Sequence, residues 1–279
     1  EWELIIVDDG SIDNTLDILY EFQKKDERLK IYTRNREPKG PQTCRNIALS
    51  LARGEYVVIF DADDLISETC LEKRVQFMEQ HPGIDYASFP GKSFSDENNL
   101  PKFDEREPMY GVGKGTEDLL TCLLTAKYVF TVWTNIYRRS SIERIKYLEL
   151  SASYEDFDFM VSCVLAGLKH KFSNFKEIDY FYRVGLSTNR SSRSASSQYC
   201  KSTITMFSTK LESLKERSDY PRRRKEFQKF IVLHFERIIE SGNKNNLKDY
   251  ITFCQHYYSG WFIFRLHLVS KSAMIFKNK

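Results

Sequence analysis

Two apolar runs, Leu4-Ile5-Ile6-Val7 and Tyr56-Val57-Val58-Ile59-Phe60, each end abruptly in carboxylates. The first runs into Asp8-Asp9-Gly10-Ser11 and the second into Asp61-Ala62-Asp63-Asp64. Strands that are apolar throughout, with helical segments between them, imply an α/β fold in which helices cover both faces of a mostly parallel sheet. The intervening segments fit. A helix opens near Asp13-Asn14-Thr15, whose side chains can cap it, with Leu16, Leu19, Tyr20 and Phe22 as its stripe. Residues 30–33 read as a strand, and Pro38, Gly40 and Pro41 as a loop. A helix over 43–53 closes at Gly54. Ser67-Glu68-Thr69 can cap a helix carrying Leu71, Val75 and Met78, and a strand follows at 84–89. Ligands of such sheets bind beyond the carboxyl ends of the strands, so the two acidic turns are expected to converge.

The remainder is less regular. Residues 90–115, with Pro90, Pro101 and Pro108 and with Gly111, Gly113 and Gly115, read as loop. A helix at 117–126 precedes a β-rich stretch at 130–137. Tyr154-Glu155-Asp156 opens a helix that Gly167 ends, 180–184 reads as a strand, and the serine-rich 187–197 as a loop. From Tyr199 the pattern is mainly helical. This last part is basic: residues 200–279 hold 16 Lys and Arg against 7 Asp and Glu, within a chain whose net charge is only +3. The first 199 residues are therefore acidic, as a cation-holding region would be.

Several classes are excluded. No stretch reaches ~18 uninterrupted apolar residues, so no spanning helix is expected. No basic segment leads into an apolar one at the N-terminus, so no secretory leader is expected. The chain opens without Met, and its first residues already read as a strand, which suggests a piece of something longer. Six cysteines stand far apart with no Cys-x-x-Cys pair, which fits reduced thiols in the cytoplasm rather than a disulfide framework or a zinc site. The basic cluster Arg222-Arg223-Arg224-Lys225 is isolated and no nucleic-acid-binding motif accompanies it, so no nucleic-acid partner is expected.

Asp61-Ala62-Asp63 at a strand end is the most informative motif. Two carboxylates at i, i+2 on a turning backbone can hold one hard divalent cation. A plain strand-to-helix turn with Asp64 as cap competes with this reading. An EF-hand loop would need Gly where Ile66 stands. A phosphatase of the haloacid-dehalogenase type would want Thr or Val where Leu65 stands.

Leu4 through Ser11, then Arg45-Asn46-Ile47-Ala48, then Gly54-Glu55-Tyr56 leading to Asp61-Ala62-Asp63-Asp64, resemble the family 2 glycosyltransferases of the GT-A fold. Weaker echoes follow at Trp133 to Arg138, at Tyr154-Glu155-Asp156, and at Tyr182-Arg183 with Ser187. The resemblance implies a Rossmann-like GT-A domain over 1–198, with a nucleotide-sugar half at 1–90 and an acceptor half at 91–198, and a helical C-terminal extension at 199–279. It implies a transferase that moves a sugar, with inversion, from a nucleoside-diphosphate sugar (UDP-linked before others) to a glycan or lipid-linked acceptor. Asp9, in the Asp8-Asp9 pair, is similar to the residue that reads the base. Arg45 is similar to a second nucleotide contact, Asp61 to a residue near ribose and metal, and Asp63 to the direct ligand of Mn²⁺ or Mg²⁺. In the Glu155-Asp156 pair, Asp156 is similar to the general base; acidic residues complementing a helix dipole are the alternative.

The chain also departs from the family. Members carry an additional strand some 25 residues before the Asp-Asp-Gly-Ser turn, between the Leu4–Val7 and Tyr56–Phe60 strands. This chain starts after it. A gap, an abnormal direct pairing or a foreign segment is therefore expected there, and a non-catalytic fragment that at most binds nucleotide is the alternative reading. Asn135 stands where Lys is frequent and Gly185 where His is frequent. No Gln-x-x-Arg-Trp occurs, against a processive synthase. The aromatic and basic stretch from Trp261 to Lys279 suits either an interfacial helix on an anionic membrane, at its cytoplasmic face, or a packed terminal helix.

Overall fold

The computed structural model describes residues 1–95, 107–127, 131–151, 153–184, 196–263, 265 and 266. They form two compact units, one from 1–117, 128–149 and 155–185, the other from 118–127, 150–154 and 186–279. The division is not a single cut at residue 198: two short segments expected in the first domain group with the helices.

In the first unit, β1 (Leu4–Asp8) pairs in parallel with β2 (Leu29–Thr33), from Leu4 opposite Leu29 to Asp8 opposite Thr33. The α1 helix (Thr15–Lys25) packs on β2, and α2 (Pro41–Leu51) packs on β1. Pro41 opens α2, where its missing N–H costs nothing. A second sheet has the order β3 (Tyr56–Val58), β7 (Asn135–Arg138), β5 (Tyr86–Ser88), β8 (His170–Phe172). A third runs β4 (Leu65–Ile66), β9 (Tyr180–Arg183), β6 (Gly91–Phe94). Helices α3 (Cys70–Gln80), α5 (Arg139–Ile142) and α6 (Glu155–Leu165) complete the unit.

The α/β class stands, but the pairing is mixed. β1–β2, β5–β8 and β6–β9 are parallel, whereas β3–β7, β5–β7 and β4–β9 are antiparallel. The cause is that β7 returns between β3 and β5, and β9 beside β4, each against the chain direction. β6 falls in the stretch that reads as loop. It lies against Trp133, and a Cβ added at Gly91 would come within 2.4 Å of that indole.

The gap between the first and third strands is present: β1 is hydrogen-bonded to β2 and β3 to β7, in separate sheets. The β1–β2 part of the unit is also the more exposed. Leu4 is 44% and Phe22 55% exposed, and α1 buries none of its residues fully. The firm core lies elsewhere, around Phe77, Met78, Ala87, Phe89 and Ile136, with Tyr56, Val58 and Phe175 packed against it.

The second unit is helical, built from α4 (Leu119–Leu124), α7 (Ser197–Lys215), α8 (Tyr220–Ser241) and α9 (Lys244–Tyr257). The α8 helix ends at Gly242, whose φ of 72° is the left-handed conformation of a C-terminal cap. Phe207, Phe227, Phe230, His234, Tyr250 and Phe253 fill its interior. Arg223 on α8 pairs at 2.9 Å with Asp118, the residue that caps α4. All six cysteines are free. No helix among the described residues is long and apolar enough to cross a membrane. Phe130, Gly185, the serine-rich stretch to residue 195, and 267–279 of the aromatic and basic C-terminus lie outside the described residues.

Candidate active site

The first acidic turn is built by its own side chain. Asp8, almost fully buried at the end of β1, accepts from the Gly10 N–H at 2.8 Å, the Ser11 N–H at 3.0 Å and the Ser11 hydroxyl at 2.5 Å. The Ser11 hydroxyl, ahead of the backbone donors and against burial, holds the Asp8 carboxyl below its usual range. Gly10 has a φ of 89°, open to glycine at no steric cost. Asp8 thus spends its oxygens on the turn, and Asp9 is the residue presented. Its Oδ1 accepts from Arg34 Nε at 2.5 Å and from the Gly40 N–H at 3.3 Å. Arg34 follows β2 directly, and its own N–H donates to the Asp8 carbonyl at 2.8 Å. Sequence reasoning missed Arg34; its only sequence signal is its place just after a strand that runs parallel to β1.

The second turn sits after β3. Asp64 N–H reaches the Asp61 carbonyl at 3.4 Å, closing a four-residue turn before β4. Asp61 is clamped by Arg45 Nη2 at 2.5 Å. The Asp63 side chain is exposed, and its carboxylate accepts no hydrogen bond among the described residues. Asp64 turns inward: it accepts from the Tyr180 hydroxyl, and from the Arg183 N–H at 2.7 Å. Burial, opposed by the Tyr180 hydrogen bond, pushes the Asp64 carboxyl up to about 6.

Arg45 joins this turn to the start of α6. Its Nη1 lies 3.8 Å from both Glu155 Oε1 and Asp156 Oδ1, and that nitrogen is buried without a hydrogen bond. Burial raises the Asp156 carboxyl, with Arg45 opposing the rise. Asp61 and the Glu155-Asp156 pair, far apart in sequence, therefore share one guanidinium. Asp8 and Asp9 make no ion pair with Arg45 among the described residues; they belong to the β1–β2 side of the unit.

The donor set can be tested for a cation. Asp63 and Asp61 offer hard carboxylate oxygens, which suit Mg²⁺ or Mn²⁺. Among the described residues no three His, Cys, Asp or Glu side chains converge as a cage. A cation here would take one or two protein oxygens and complete its shell from phosphates and water, the usual habit of Mg²⁺ at nucleotide sites. An exposed carboxylate with unspent lone pairs fits that role.

Comparison with known proteins points the same way. An uncharacterised glycosyltransferase of Haemophilus influenzae is 30% identical over 185 residues, spanning 66% of this chain and 68% of that protein. Among solved structures, Staphylococcus aureus TarS in complex with UDP-GlcNAc is similar with a TM-score of 0.59 at 20% identity, covering 91% of this chain and 72% of that one. A mannosyltransferase of Pyrobaculum calidifontis, in complex with GDP-Man and Mn²⁺, gives a TM-score of 0.53 at 15% identity, covering 98% and 71%. At such identities the two structures speak for the fold alone. The family profile described as glycosyl transferase family 2 matches residues 1–146, the span that contains both acidic turns and Arg45, and the chain belongs to that family.

Proposed function

We propose that this glycosyltransferase moves a sugar, with inversion, from a nucleoside-diphosphate sugar to a hydroxyl of a glycan or lipid-linked acceptor, at the cytoplasmic face of a membrane. A UDP-sugar is the first donor to test. The observation that carries this reading is the cluster in which Arg45 holds Asp61 at 2.5 Å and faces Glu155 and Asp156 at 3.8 Å. It sets a candidate base beside the turn that would hold the donor.

The geometry supports the following roles. Asp9, its Oδ1 fixed by Arg34, offers its remaining oxygen to an N–H on the edge of the base. Arg45 keeps the three carboxylates together and restrains the rise of Asp156. Asp156 accepts the proton of the acceptor hydroxyl as that oxygen attacks the anomeric carbon and the diphosphate departs from the opposite face. A divalent cation at Asp63, with Asp61, would supply Lewis-acid neutralisation of the departing diphosphate. The Mn²⁺ and UDP-GlcNAc of the similar structures support, by analogy, only a divalent cation and a nucleotide-sugar donor.

Asp156→Asn tests the base. Transfer should slow by roughly 10²-fold or more while affinity for the nucleoside diphosphate is kept. The base works only when ionised, so the rate should fall as pH drops. Because burial raises this carboxyl, the fall should come at higher pH than the ordinary 3.8. Equal losses of rate and donor affinity would make Asp156 structural. The separation of β1 and β3 into two sheets favours a second reading, a chain that binds nucleotide without turnover. Calorimetric binding of UDP together with no release of free nucleoside diphosphate across a donor screen would select it.

A further inference from the structure

The turn that carries Asp61 and Asp63 is not held by its own residues. Its single internal backbone bond is long, at 3.4 Å. What spans it is β9. The Tyr180 phenol accepts from the Asp61 N–H at 3.3 Å and donates to the Asp64 carboxylate, so one oxygen touches both ends of the turn. Three residues on, the Arg183 N–H donates to Asp64 at 2.7 Å, and Arg183 Nε donates to the Asp63 carbonyl at 2.7 Å. β4, immediately after the turn, pairs with β9 from Leu65 opposite Phe181 to Ile66 opposite Tyr180.

The phenol itself is fixed from behind. Tyr180 is fully buried, stacked on Trp133 at 4.6 Å and 14°, and the Phe60 ring, just before the turn, lies 5.2 Å away. Tyr182, two residues on and so on the same face of the strand, stacks on the same indole at 5.4 Å and 7°. Beside Tyr180, Asp179 is locked to Arg74 of α3 by two hydrogen bonds of 2.7 Å. A side chain so packed has no second rotamer to move to, and its hydroxyl position is set by the core.

We propose that Tyr180 is a positioning residue for sugar transfer: anchored on Trp133, its hydroxyl bridges Asp61 and Asp64 and fixes where the Asp63 carboxylate stands relative to the donor diphosphate. This rests on the reading of Asp61 and Asp63 as the donor end of the site. The physical logic is that an exposed carboxylate on a turn with one weak internal bond would otherwise wander by an ångström or more. Misplacements of that size cost catalysis far more than stability.

Tyr180→Phe removes the hydroxyl and keeps the stacked ring. The expected result is a loss of kcat/KM for the donor of roughly 10- to 100-fold, with KM for the donor raised and KM for the acceptor unchanged. Asp64→Asn should produce a comparable loss, and the double substitution no more than the larger single one, because both remove the same bridge. A structural role alone would lower the amount of folded enzyme and hence kcat, leaving donor KM where it was; that outcome overturns the proposal. So does additivity of the two substitutions. Asp63→Asn, measured in parallel, separates the premises. If it leaves donor turnover intact, the reading of the donor end fails; if it abolishes turnover while Tyr180→Phe behaves as wild type, only the positioning role fails.

Discussion

Asp8 and Asp9 are neighbours with opposite fates. The strand ends between them, so one side chain turns back under the loop and the other is held from across the sheet by Arg34. The same separation recurs at Asp63 and Asp64, one exposed and one spent on Tyr180 and Arg183. Because the Asp63 side chain accepts no hydrogen bond among the described residues, Asp63→Asn should leave the thermal midpoint unchanged while abolishing turnover that depends on Mn²⁺ or Mg²⁺. A mutant with normal rates in Mn²⁺ would refute the assignment. Arg45 illustrates what spacing could not reveal. The motif around it implies a nucleotide contact; the guanidinium in addition meets Asp61, Glu155 and Asp156. Which carboxylates surround a cation depends on where three separate elements end.

At the scale of elements, α3 and β9 are joined by the most deeply buried ion pair among the described residues. Arg74 is fully buried, and besides Asp179 its Nη1 donates to the carbonyls of Trp133 at 3.0 Å and Asn135 at 3.3 Å. Nearly every proton of the guanidinium is thereby used, which is the condition under which a buried charge is tolerated. Arg74→Met would strand the Asp179 carboxylate and free two carbonyls. The expected cost is about 3–5 kcal/mol in chemical unfolding, with much of it recovered in Arg74→Met/Asp179→Leu. A single substitution costing under about 1 kcal/mol would show that the pair is not well desolvated. The long elements of this unit, α2, α3 and α6, were legible because their apolar periodicity, Gly54 and Gly167 mark them locally, although Pro41, read as loop, opens α2. β6 and β8 were not, since Gly91–Phe94 and His170–Phe172 are too short to carry a period and become strands only because β9 and β5 offer partners.

For the whole molecule, half-buried His170 and buried His234 contribute to the response to acid, opposed by the raised carboxyls of Asp64 and Asp156. His170 bonds through Nε2 to the Ser88 hydroxyl at 2.8 Å, and burial, slightly opposed by Glu117, pulls it down to about 3. His234, in the helical unit, is 1% exposed and meets the Tyr154 hydroxyl at 3.0 Å; burial, then the nearby Arg237 charge, likewise lowers it to about 3. Both are neutral when folded and take up a proton near 6.5 when unfolded. Between those values the unfolded chain binds more protons, so their contribution is complete above about pH 6.5 and is lost as pH falls toward 3. The thermal midpoint should drop between pH 7 and pH 5, each histidine giving a slope of up to about 1.4 kcal/mol per pH unit. His170→Gln should flatten that slope by its share; an unchanged slope would show that the imidazole charges without unfolding.

The sequence by itself determined the α/β class, the long helices, the two acidic turns at strand ends and the helix that begins at Glu155-Asp156. Each is written in a few consecutive residues: an apolar run, a capping side chain, a glycine that can take a positive φ. Tertiary structure alone decided that β7 runs against β3 and β5 and β9 against β4, that β1 and β3 lie in separate sheets, that Arg45 faces three carboxylates, and that Tyr180 bridges Asp61 to Asp64 across more than a hundred residues. Those are relations between distant segments, fixed by which edges can pair and which side chains can be buried together, and no local pattern encodes them.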